Sequence, residues 1–196
     1  MIRKLFLFLI LMLAGCGGTQ LPNVISSTDG TLTANYPAQW VARADAATIY
    51  LASNPAVLDN PRSVPSGEFV IAIGVIPDSM VAEISQSTSL MMNTPQVILN
   101  VLGPRISSID LDYTSVLGMV TTTTISDRPA ARANMTFTNE LGASEGQIIV
   151  IDEGNNVYVA LIGATIAGEL SRNESTLAAV ARSVVYRAAQ GMPGGS

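Results

Sequence analysis

The chain has 196 residues, 48% of them hydrophobic and 13% charged, with no histidine, one cysteine and a formal net charge of −5. At about 150 residues per domain this is one domain with loose ends, and a pI near 4.6 is the wrong sign for a phosphate-binding, nucleic-acid partner. Intramolecular disulfides, the usual zinc sites and every histidine-based triad are excluded by the residue counts.

In chain order, Arg3 and Lys4 precede an apolar run from Leu5 to Ala14, which ends at Gly15-Cys16. About ten apolar residues are too few to cross a hydrocarbon core, but they suit the hydrophobic region of an export signal. The sequence Leu13-Ala14-Gly15-Cys16 resembles the lipobox of bacterial lipoproteins. That resemblance implies a diacylglycerol on the Cys16 thiol, cleavage between Gly15 and Cys16, and acylation of the new amino terminus, palmitate being a typical chain. Several acyl chains, at about 0.8 kcal/mol per buried CH₂, anchor stably where one does not. The alternative is an exported protein with an incidental cysteine.

Residues 1–15 are thus expected to be a signal peptide, 16–30 a flexible tether, 31–188 the domain and 189–196 a loose tail. Cleavage removes Arg3 and the only lysine, leaving eight arginines against fifteen carboxylates, a charge of −7. Such a domain is expected to stand off an anionic bilayer on its tether. It would face outward from the cell membrane, or lie on the outer membrane.

Within the domain, Leu32, Ala34 and Tyr36 alternate with polar residues as a half-buried strand, and Ala47–Ala52 repeats the pattern. Phe69–Ile76 is apolar throughout and predicts a central strand covered on both faces. Thr94, Pro95 and the stripe Val97, Ile98, Val101 and Leu102 predict a capped helix ending at Gly103-Pro104. Asp78–Ile84 suggests a shorter one. Val116–Ile125, Ala131–Phe137, Gln147–Ile151 and Val157–Ala164 then read as a four-stranded antiparallel meander, with turns at Asn139–Gly142 and Asp152–Asn156. A final helix carries Leu177, Val180, Ala181 and Val184 on one face, with Ser171 and Glu174 spaced as a capping box. The helices do not alternate with every strand, so the fold class is α+β: an α/β/α sandwich around an antiparallel sheet.

Tyr36-Pro37-Ala38-Gln39-Trp40, the strand 47–53, Arg128-Pro129-Ala130-Ala131 and the last helix running into Arg182–Tyr186 resemble the PsbP-like family. The resemblance implies an α/β/α sandwich and a non-enzymatic role, docking to or assembling a membrane complex. It implies no metal ligand here. Tyr36 and Trp40 become core residues at the domain entrance, or else aromatic ligand contacts.

Gly142-Ala-Ser144-Glu-Gly146 spells the nucleophile elbow, but no histidine exists to accept the proton and a strand follows where a helix is needed, so Ser144 reads as a hairpin residue. Asp110 with Asp112, and Asp152 with Glu153, do not form the opposed acids of a glycosidase. The turn 152–156 lacks the spacing of a calcium loop. Met80, Met91, Met92, Met119 and Met135 offer soft sulfur for copper(I), or simply fill gaps in a core.

No catalytic residue, cofactor or metal is therefore expected. The leading expectation is a non-catalytic accessory or adaptor for envelope or membrane-complex assembly, with a protein partner in the envelope. The rival is a carrier or sensor of a small apolar ligand bound between the sheet and a helix, with Met91, Val97, Ile98, Val101 and Leu102 as its wall, motivated by a mean hydropathy of +0.38.

Overall fold

The computed structural model describes residues 19–61, 64–87, 94–101, 103, 115–139 and 141–188. In chain order its elements are β1 (Asn23–Ser26), β2 (Leu32–Tyr36), β3 (Val41–Ala44), β4 (Thr48–Ala52), α1 (Pro55–Asp59), β5 (Val70–Val75) and α2 (Asp78–Ser87). There follow α3 (95–101), β6 (Ser115–Leu117), β7 (Thr121–Ile125), β8 (Arg128–Asn139), β9 (Gly142–Gly154), β10 (Val157–Ile166), α4 (Leu170–Ser183) and β11 (Val185–Tyr186).

Eight strands form one antiparallel sheet in the order β3-β4-β5-β10-β9-β8-β6, with β7 also on β8. Alternate residues feed two cores. On one face Val70, Ala133, Ile148, Val150 and Ile162 meet Val57 of α1, Val81 and Ile84 of α2 and Ile98 and Leu99 of α3. On the other, Leu51, Ile71, Ile73, Ile149 and Leu161 meet Leu177, Val180 and Ala181 of α4 together with Leu32 and Ala34 of β2. The α+β sandwich is thus present, and one of its outer layers is composite: a helix beside a small sheet of order β1-β2-β11.

The expected strands at 32–36, 47–52 and 69–76 appear as β2, β4 and β5, and the meander appears as β6/β7, β8, β9 and β10. Its first strand is divided. Gly118 still donates from its N–H to Asn134 O at 2.8 Å, but a Cβ there would lie 3.1 Å from that oxygen, and pairing resumes only at Thr121. Two-residue turns join β7 to β8 and β9 to β10, with Ser126, Asp127, Asn155 and Asn156 all at φ between 50° and 63°. These are primed turns, whose twist matches that of the strands they join.

Two expectations fail. Residues 16–30 are not all tether: β1 pairs with β2 from Asn23↔Tyr36 to Ser26↔Thr33, and Leu21 already packs against the second core. Ser27 and Asp29 fold the connecting turn, Asp29 accepting from Ser27 Oγ at 2.7 Å, Thr31 N at 2.9 Å and Thr31 Oγ1 at 2.7 Å. The small polar residues that read as loose chain are a strand and its turn.

The capping box is the second failure. Helix α4 begins at Leu170, so Ser171 and Glu174 lie inside it, and Leu170 N donates instead to Glu145 Oε1 of β9 at 2.6 Å. A carboxylate from a distant strand supplies the charge that the helix N-terminus attracts. The Thr94 cap does form, accepting from Val97 N at 3.4 Å with Pro95 at the first helical position.

Candidate functional site

Cys16 and Gly15, the expected lipidation and cleavage residues, lie outside the described residues, as do Met91 and Leu102 of the expected pocket wall and Asp110 and Asp112. What the structure places is the segment that follows Cys16. From Leu21 onward the chain is docked on the domain, with Asn23 Nδ2 donating to Pro37 O at 3.2 Å. Leu21 is five residues along the chain from Cys16, with Gly17, Gly18, Thr19 and Gln20 between them.

The remaining wall residues sit on α3 over the main sheet. Ile98 is wholly buried, and Val97 and Val101 pack against the same core. Leu99, which the stripe reading passed over, is also fully buried. Close packing extends to the end of this segment, where a Cβ on Gly103 would lie 3.0 Å from Leu117 Cδ2 and 3.2 Å from Leu99 Cδ1. These residues behave as core. Tyr36 and Trp40 pack against the second core, the Trp40 ring 6.0 Å from that of Phe69.

The charged side chains at the ends of α4 are occupied by structural work. Arg128 Nη1 bonds Glu153 Oε1 at 2.5 Å and Val184 O at 3.0 Å, while its Nε donates to Ile125 O. With Ser126 Oγ on Arg182 O, this ties two hairpin ends to the carboxyl end of α4. Burial raises the Glu153 carboxyl above its ordinary 4.5, with Arg128 pulling downward and Asp152 adding to the rise. Asp152 accepts from Gly154 N, closing its own turn. The carboxylates of the turn are thus engaged, and among the described residues no group of three histidine, cysteine, aspartate or glutamate residues is placed to hold a metal.

At the opposite end of α4, Glu169 accepts from Ser66 Oγ at 2.6 Å and Gly67 N at 2.7 Å. Those bonds, Ser66 first, hold it below its ordinary 4.5. Ser144 lies in the arm of the β8–β9 hairpin, opposite Phe137. It is buried with its hydroxyl unpaired, and a strand continues on either side of it, so it has neither the elbow nor a base. Of the singled-out methionines among the described residues, Met135 lies in the first core and Met80 packs against it, while Met119 is exposed.

No family profile and no curated protein matches the sequence. Solved structures do match. Cyanobacterial PsbP (CyanoP) from Synechocystis sp. PCC 6803 aligns at a TM-score of 0.52 and 12% identity, covering 88% of this chain and 96% of that one. The fold is PsbP-like. A crystal structure from Bacteroides thetaiotaomicron VPI-5482 aligns at 0.51 and 14% identity over 88% of this chain, which spans only 51% of that longer one. In this chain α1–α3 lie on one face of the main sheet and α4 on the other, in keeping with the expected α/β/α sandwich. Among the described residues no helix is long and apolar enough to cross a membrane.

Proposed function

We propose that this protein is a lipid-anchored, extracytoplasmic lipoprotein whose PsbP-like domain is a non-catalytic accessory in envelope or membrane-complex assembly, recruiting a protein partner there. The observation that carries the reading is Leu13-Ala14-Gly15-Cys16 behind its apolar run, a few residues before the docked Leu21. The engaged carboxylates, the close-packed α3 and a chain without histidine support an adaptor over an enzyme or a carrier.

Replacing Cys16 with Ser is expected to release the protein from the membrane fraction. Unchanged fractionation would refute lipidation. Native mass spectrometry of the full-length protein, gently solubilised from its own membranes, is expected to show a stoichiometric protein partner. A discrete small-molecule adduct that outlasts removal of the anchor would overturn the adaptor reading in favour of a carrier.

A further inference from the structure

The three-stranded sheet has an inner and an outer side. Leu32 and Ala34 of β2 point into the second core, with Ile25 of β1 and Tyr186 of β11 packed beside them. The register puts their alternates on the outer side: Val24 beside Asn35, Ser26 beside Thr33, and Val185 beside Thr33. Ser26 and Thr33 join their hydroxyls across the exposed surface at 3.0 Å. Val24 and Val185 flank them at 62% and 46% exposure. In a chain whose cleaved form would carry −7, the strands bear no carboxylate on this outer face, and the exposed Arg187, which extends the ladder by donating from its N–H to Thr31 O at 2.8 Å, adds a cation.

The length of chain leading to this sheet sets its distance from the anchor. Leu21 is docked on the domain, and five residues extended at about 3.3–3.6 Å each reach at most about 18 Å from Cys16. That is shorter than the long tether the composition suggested, and it ends two residues before β1. A domain held this closely must turn some surface to the bilayer. The sheet that this segment enters bears two exposed valines and no carboxylate on the outer face of its strands, and so incurs none of the repulsion expected between carboxylates and anionic headgroups.

Resting on the reading of Cys16 as lipidated, we propose that the outer face of the β1-β2-β11 sheet, bearing Val24 and Val185, lies against the lipid headgroups. The domain is thereby oriented on the membrane with α2 and α3 turned away from it. The occupant of this face is the lipid surface itself, and the partner meets the other side.

The test uses the full-length lipidated protein in phosphatidylcholine vesicles, with single cysteines introduced at Val24, Val185 or Gln96 and labelled with an environment-sensitive fluorophore. Gln96 is exposed on α3, over the opposite face of the main sheet. Headgroup spin-labelled lipid is expected to quench the labels at 24 and 185 several-fold more than the label at 96. Equal quenching at all three positions, in protein whose amino-terminal mass confirms the diacylglyceryl group, would overturn the orientation while leaving the anchor intact. An unmodified Cys16 would overturn the anchor, and the orientation with it. Both valines are exposed and at separate strands, so one labelled variant suffices if the other folds poorly.

Discussion

Strands β10 and β8 lie two places apart in the same sheet and were built to different rules. Every residue of β10 from Tyr158 to Thr165 is buried, because α1–α3 cover one face there and α4 with β2 the other. In β8, Ala131, Ala133, Met135 and Phe137 are buried while Arg132, Asn134, Thr136 and Thr138 are exposed, because α4 does not extend that far. A continuous apolar run and a strict alternation therefore record how many layers cover a strand. Coverage ends at β9, where Gln147 reaches across to donate to Asn134 Oδ1 at 2.9 Å and seals the margin.

The contrast can be broken most forcefully from the sealed strand. Leu161→Ala in β10 should cost about 2–5 kcal/mol in urea unfolding, as a large side chain removed from a core enclosed on both sides leaves a cavity. A loss of under 1 kcal/mol would show that this layer is loosely packed. Gly163→Ala tests the same enclosure by addition: its Cβ would lie 2.6 Å from Phe69 Cζ and 3.0 Å from Leu177 Cδ2. Overpacking of that kind should destabilise by about 1–3 kcal/mol. At the edge of coverage, Glu145→Ala removes the carboxylate bound to Leu170 N and should cost about 0.5–2 kcal/mol, the range of lost helix caps.

The two glutamates near the ends of α4 should differ in sign with pH. Glu169 is held below 4.5 in the fold, so wild type gains over Glu169→Gln above pH 4.5 and loses that gain as the pH falls below it. Glu153 is held above 4.5, so wild type loses ground against Glu153→Gln as the pH rises from 4.5 through the folded value. Thermal unfolding midpoints on both sides of pH 4.5 would check both, and parallel slopes would contradict the opposite environments. The smallest effect belongs to the open face: Thr136→Ala in β8 should move stability by no more than about 0.5 kcal/mol in the same urea assay.

Legibility in the sequence followed the range of the interactions involved. The run at 69–76 and the alternation from Ala131 to Phe137 carry their own burial pattern, and the structure uses it directly. The run Leu13-Ala14-Gly15-Cys16, which resembles a lipobox, is contiguous and needs no fold to be read. By contrast, β1 is four residues of mixed polarity and β11 only two, and each is a strand only because β2 lies beside it. Helix α1, capped by Asn54 and opened by Pro55, is too short to show a helical period. The cap of α4 is illegible for the same reason, since no local pattern announces that Glu145 will reach Leu170. Ile98, Val97 and Val101 were correctly grouped on α3, but an apolar stripe looks alike whether it lines a pocket or fills a core.

The β2–β11 pairing also sets an order of events. Asn35 N and Ser183 Oγ, joined at 2.9 Å, are 148 residues apart, and closing so long a loop is slow compared with forming hairpins such as β7–β8 or β9–β10. A chain emerging from its amino end can complete the meander while Leu32 and Ala34 still await α4. The β1–β2 hairpin is local and can form early, so the docking of α4 and β11 on β2 is the late step, and until then Leu32 and Ala34 lack the cover that only the final residues of the domain supply.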